Sequence, residues 1–259
     1  MIYAALAVWL LGILFMAVGT YRLWARMIRP QYVSWALLPG TLVAEMAYIF
    51  GCLVTGGEIR RAKIVPEAGS RKSGGDSEPA TEATARLKVL GPIVASLLAV
   101  VACAAAILIV HALLGEPVLT QFVSLPSASL PKTLPTSWGA FWDQLGGQLT
   151  LLRRVCETWT ELQWSNWRVP LFVYLAVCLS VRLAPVRRDL RATLAAVVAV
   201  AILIALLGLV WKRFDSLVQD VWPLVTYVWS LLLFLLVLTL LISAVAALVR
   251  VLSGKAKAS

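Results

Sequence analysis

Long apolar runs separated by polar, basic stretches dominate the pattern of this chain. The first run covers about Ile2 to Tyr21 and is followed by Arg22, Arg26 and Arg29. A second covers about Val33 to Thr55, a third about Val89 to Leu114, and a fourth about Val169 to Leu183. The fifth, about Leu194 to Trp211, and the sixth, about Val221 to Leu252, complete the series. Runs of about 18 or more apolar residues are long enough to cross the hydrocarbon of a bilayer as helices. The pattern predicts an all-α fold, a polytopic helical membrane protein with five to six membrane segments. No small-residue cleavage site follows the first run, which therefore reads as a retained span.

The intervening stretches are of different kinds. Residues 1–56 hold the first two runs, and residues 57–88 form a basic polar loop. Within that loop Glu58 to Pro66 reads as a short strand or hairpin, and Arg71 to Ala85 has the Gly, Ser, Pro and Glu content of a mobile linker. Residues 89–115 carry the third run. Residues 116–168 are rich in Pro and Trp, with Gln121 to Pro135 reading as an extended surface stretch because of Pro126, Pro131 and Pro135. Residues 169–252 hold three runs, and 253–259 are a short basic tail.

Trp138 to Trp167 has a different periodicity. Phe141, Leu145, Leu149, Leu152, Val155, Trp159 and Leu162 recur at helical spacing, with Asp143, Arg153, Arg154, Glu157 and Glu161 opposite. Five of the eleven Trp fall here. Such a helix lies in the headgroup plane, caps the bundle or docks another membrane protein; the pattern fits all three.

Composition agrees with the membrane class: 61% of the 259 residues are hydrophobic and 14% charged, with a mean hydropathy of +0.87. The net charge of +10 suits loops against anionic lipid; with basic residues scattered among apolar runs, nucleic-acid binding is not expected. The four cysteines form no CxxC pair and read as small buried hydrophobes. The single His, His111, at the end of the third run, reads as an interfacial side chain before a ligand.

Charge also bears on topology. Seven basic residues fall in 57–88, four in 182–191 and three from Arg250 onward, against three in 22–29, four in 116–168 and two in 212–213. If all six runs span, the two sides carry fourteen and nine. If the second run instead enters and leaves on one face, the counts become seventeen and six, which the positive-inside tendency favours, with the first residue outside and the tail in the cytoplasm. The short loops and few cysteines point to a bacterial inner membrane.

The second run holds the one candidate site. Its apolar sequence contains Pro39, Gly40 and a lone carboxylate, Glu45, with Thr41 placed as an N-cap a turn earlier. A carboxylate at membrane depth is costly and marks a functional or formerly functional position by default; the plainer reading is a carboxyl protonated or hydrogen-bonded to a neighbouring span.

Pro39-Gly40-Thr41-Leu42-Val43-Ala44-Glu45-Met46-Ala47-Tyr48 resembles the motif of membrane-embedded zinc metalloproteases of the site-2 protease type, the M50-like group. In that motif two His residues one turn apart bind zinc beside a Glu base. Here Glu45 is retained, while Ala44 and Tyr48 stand at the two His positions. Arg182-Leu183-Ala184-Pro185-Val186-Arg187-Arg188-Asp189-Leu190-Arg191 resembles a second element of the same group, which implies Asp189 as a relict partner of the motif. The plainer role for Asp189 is an ion pair with Arg187, Arg188 or Arg191. The resemblance implies a catalytically inactive relative with a binding or scaffold role, with no metal and no cofactor. The other readings are an unrelated structural or assembly subunit of a membrane complex, or a transporter.

Overall fold

The computed structural model describes residues 2–28, 30–56, 58–61, 82–84, 90–124, 130–131, 138–183, 198–199, 202 and 214–255. They form α1 (Ile2–Met27), α2 (Pro30–Ala36), α3 (Leu38–Val54), a ribbon of β1 (Glu58–Arg61) and β2 (Glu82–Thr84), then α4 (Leu90–Leu114), α5 (Glu116–Ser124), α6 (Trp138–Glu161), α7 (Arg168–Arg182) and α8 (Phe214–Lys255). Among the described residues the only strands are one antiparallel pair, in which Glu58 faces Thr84 and Ile59 faces Ala83. The expected strand after the second run is present, and its partner, Glu82–Thr84, falls inside the stretch read as linker.

Among the described residues three helices are long and apolar enough to cross a membrane, over Ala5–Met27, Ile93–Leu114 and Val218–Ala247. They match the first, third and sixth runs. Leu38–Val54 is apolar but shorter, and α7 has only 15 residues, about 22 Å at 1.5 Å per residue against roughly 30 Å of hydrocarbon. Most of the fifth run and Asp189 lie outside the described residues.

The second run is two helices. Leu37 donates its N–H to Val33 O, closing α2, while its carbonyl accepts from Thr41 N, opening α3. Pro39 accounts for the break, because it has no N–H for the carbonyl four residues back and disfavours helical backbone before it. Within the new first turn the missing donor costs nothing. Thr41 is therefore inside α3 and not its N-cap; Leu37 holds that position, and the Thr41 hydroxyl donates to Leu37 O at 2.9 Å. α3 ends at Thr55, followed by Gly56 at φ 71, a left-handed position suited to glycine.

Helix directions follow from who touches whom. Gly12 lies on Trp229 and Gly19 on Leu236, and Trp24 Nε1 donates to Thr239 at 2.8 Å, so α1 and α8 run the same way. α4 runs against α7, since Cys103 meets Arg182 and Leu113 meets Arg168. It also runs against α3, where Gly51 sits on Ala95. Tyr21, late in α1, stacks with Arg182, the last residue of α7, while Ile13, earlier in α1, shares a crevice with Ile107 and Leu108 of α4. Hence α1, α3, α7 and α8 all point one way and α4 the other. Two successive helices, α1 and α3, can share a direction only if α2 turns the chain back.

The main core joins Ile13, Ala17 and Tyr21 of α1 to Phe172, Ala176 and Leu179 of α7 and Tyr227, Leu231 and Leu232 of α8. A second cluster gathers Leu6, Leu130, Leu151, Val218 and Trp222. Two expectations fail here. Gln121 to Ser124 is helical, as the end of α5. Leu130, in the stretch read as a surface run, is fully buried, and its carbonyl and that of Pro131 accept from the indoles of Trp222 and Trp9.

The packed face of α6 and the residue after it shares Val155 and Leu162 with the expected stripe and adds Leu151, Arg154 and Thr158, while Leu149 is 71% exposed; Arg154 is only 6% exposed. A pattern of apolar against charged residues assigns Arg to the outside. Here Arg154 instead reaches across to α5, donating from Nε to Phe122 O at 2.6 Å with its guanidinium 4.4 Å from the Phe122 ring centre. Burial lowers its pKa from the usual arginine value. On α8, α6 contributes Gln148, which accepts from Trp229, and Trp159, which packs edge-on against Phe234.

Candidate functional site

The helix break that Pro39 imposes leaves the carbonyl of Ala36 without its usual helical donor. α7 supplies replacements: Tyr174 Oη donates to Ala36 O at 3.0 Å and Cys178 Sγ at 3.4 Å. Gly40 lets the two helices come this close. A Cβ there would stand 2.3 Å from the carbonyl oxygen of Cys178 and 3.2 Å from Cβ of Arg182, the first far inside any real contact distance. The three residues Pro39-Gly40-Thr41 thus act locally in turn: the first breaks the helix, the second admits α7, and the third holds the Leu37 carbonyl.

One turn beyond this contact lies Glu45. It is half-buried and acts electrostatically on Arg182 at the end of α7. The Arg182 guanidinium sits 4.7 Å from the ring centre of Tyr21, which is itself only 2% exposed. Nε and Nη2 of Arg182 are buried without a hydrogen-bond partner, as is Tyr21 Oη. From α4, Cys103 Sγ approaches the Arg182 carbonyl at 4.0 Å. Four helices therefore meet at one acid and one base inside an apolar setting.

Of the motif positions, Ala44 packs against the main core and Tyr48 is half-buried on the same helix. Arg182, the first residue of the second element, comes to Glu45. Asp189, the partner the resemblance implied, lies outside the described residues. A simpler rule pointed to Arg182: a lone carboxylate in one apolar run and a cation at the end of another tend to pair at membrane depth.

The residues present do not fit the zinc of the resembled family. A methyl group and a phenol stand where imidazoles would be needed. His111 belongs to the last turn of α4, pressed against Gly115. A guanidinium beside Glu45 opposes a divalent cation there. Among the described residues no three His, Cys, Asp or Glu side chains gather as a metal site. All four cysteines are free, three buried and Cys156 exposed. The arrangement places an acid on α3 and a base on α7 within electrostatic reach of one another, which favours the register of the two helices that brings them together.

No protein-family model, curated protein or solved structure matches the chain.

Proposed function

We propose that this chain is a multi-pass protein of a bacterial inner membrane, built on a degenerate M50-like frame and serving a binding or scaffold role without proteolysis. The observation that carries the reading is that Glu45 lies within electrostatic reach of Arg182. Arg182, which opens the second resembling stretch, lies within electrostatic reach of Glu45 in the first, and a short strand follows α3. The His positions are held by Ala44 and Tyr48 and a cation lies within electrostatic reach of the carboxylate, which supports reading the frame of that family without its metal chemistry.

In this reading the membrane is crossed five times, with α2 and α3 forming a segment that enters and leaves on one face. Helix directions support it, because α1 and α3 point the same way. Irregular backbone at membrane depth is tolerated where protein satisfies it, and Tyr174 and Cys178 do so for Ala36. The face reached by the ends of α1 and α3 is then the cytoplasmic one, in line with the seventeen-to-six distribution of basic residues. α6, packed on α5 and α8, caps the bundle on the opposite face.

An unrelated assembly subunit is the second reading. It is favoured by the finding that Pro39, Gly40 and Thr41 are all accounted for by packing. Metal analysis of the purified protein, together with labelling of single cysteines at Arg26 and Thr55, tests the proposal. Less than stoichiometric zinc, and labelling of both positions from the cytoplasmic side, are expected. Stoichiometric zinc lost in Glu45→Gln overturns the non-catalytic reading, and labelling from opposite sides overturns the topology.

A further inference from the structure

Between α1, α4, α8 and Leu183 at the end of α7 lies a partly open crevice of about 140 Å³, to which no polar atom contributes. Its inner wall is Ile13, Ile107, Leu224 and Val228, all at least nine-tenths buried. Its edge on α4 is formed by Ala104 and Leu108, both exposed. The void therefore opens to the outer surface at Ala104 and Leu108.

Interiors are close-packed, and atoms lining an empty void lose contacts on one side. Water does not fill it, since a water needs two to four polar partners; an apolar cavity of about 150 Å³ in another protein stays dry and takes benzene or xenon. An occupant must be slender and wholly apolar. Apart from Leu183, its lining belongs to the helices long and apolar enough to cross a membrane, so the surroundings of the mouth at Ala104 and Leu108, on the membrane reading proposed above, are lipid tails. We infer that the crevice is a specific site for the acyl chain of a bilayer phospholipid, inserted past Leu108 and held more firmly than the lipid around the protein's outer surface. The inference rests on the membrane reading, whose own failure would show as protein absent from the membrane fraction.

The test is spin-label spectroscopy on full-length protein reconstituted in phosphatidylcholine vesicles doped with phosphatidylcholine carrying a nitroxide near the end of one chain. Ala104→Phe fills the mouth from an exposed position, and Val221→Phe fills the crevice from α8; each is compared with Val101→Phe, which adds a ring on the exposed surface of α4 outside the crevice. Circular dichroism and thermal unfolding select the variants that retain the fold. The motionally restricted fraction is expected to fall by a single lipid per protein in either filling variant and to stay constant in Val101→Phe. An unchanged restricted fraction in a folded filling variant overturns the inference, as does an equal fall in Val101→Phe. Labelled free stearic acid, titrated into the same vesicles, distinguishes a fatty-acid site: competition only by the free acid also overturns the phospholipid assignment.

Discussion

Two of the glycine-lined seams in this molecule differ in what crosses them. Where α1 lies along α8, Gly12 faces the Trp229 ring and Gly19 faces Leu236. The polar stitching is neutral, an indole N–H on the Thr239 hydroxyl, with Trp9 edge-on to Trp229 at 4.7 Å between ring centres. Where α3 lies along α7, Gly40 faces backbone, a freed carbonyl takes side-chain donors, and Glu45 meets Arg182. The first seam is what helix association without a strong hydrophobic drive requires: small residues, close contact and a hydrogen bond worth well under ~2 kcal/mol. The second does the same and adds a charged pair, which association alone does not need. Desolvating two charges generally offsets their attraction, so such a pair is weak evidence for stability and better evidence for a fixed register. This contrast sets the α3–α7 seam apart as the site and α1–α8 as its support.

The largest effect is expected at Gly40. In Gly40→Ala the added methyl meets the Cys178 carbonyl at 2.3 Å, and a backbone group inside a helix cannot turn aside. α3 must lift off α7, and a loss of about 3 kcal/mol or more is expected, at the upper end of overpacking costs, read as a fall in the detergent denaturation midpoint. Gly12→Ala meets the rim of the Trp229 indole at 2.4 Å. That ring is held by Gln148 but can pivot, and a loss of about 1–2 kcal/mol is expected. If Gly12 proves the costlier site, the ranking of the two seams is inverted.

The charged pair is the next test. Glu45→Gln and Arg182→Met should each destabilise by about 2 kcal/mol, less than for a fully buried pair because Glu45 is half-exposed. The double variant Glu45→Leu, Arg182→Met should recover most of that loss, because two apolar groups of similar size leave no charge stranded. Additive losses in the double variant would mean that the two residues do not act on one another, and the convergence on which the functional proposal rests would be gone.

The apolar runs located α1, α4 and α8 to within several residues, since each helix is apolar for its own sake. The break in the second run was also legible, because Pro39 acts locally. Arg154 and Glu45 were harder. The burial of Arg154 depends on a carbonyl and a ring that α5 brings to it, and periodicity along α6 contains no information about either. Glu45 was recognisable as out of place, but its partner depends on α3 and α7 running in the same direction. Family resemblance directed attention to Asp189, seven positions beyond the residue that faces Glu45. The carbonyls of Leu130 and Pro131, taken up by Trp222 and Trp9, were equally beyond reach: nothing in a Pro-rich stretch says that two distant indoles will anchor it.

The smallest effects belong to the far end of the α1–α8 seam. Trp24→Phe keeps the ring and removes only the donor to Thr239, which itself still bonds Leu235 O at 2.6 Å. Because Thr239 is left satisfied, the loss should be about 0.6 kcal/mol, the mean for such interhelical bonds in a membrane. Thr239→Val should cost somewhat more, since it also removes the bond to Leu235 O, and the double variant no more than Thr239→Val alone. Gly19→Ala should be milder still: its methyl comes 3.1 Å from the end of the Leu236 side chain, a flexible group able to yield a few tenths of an ångström, and the change removes backbone freedom from the unfolded chain. The sign of that last measurement sharpens the comparison between the seams. A neutral or slightly stabilising Gly19→Ala beside a severe Gly40→Ala means that glycine at Gly19 is a convenience of packing, whereas at Gly40 it is the condition for bringing Glu45 to Arg182.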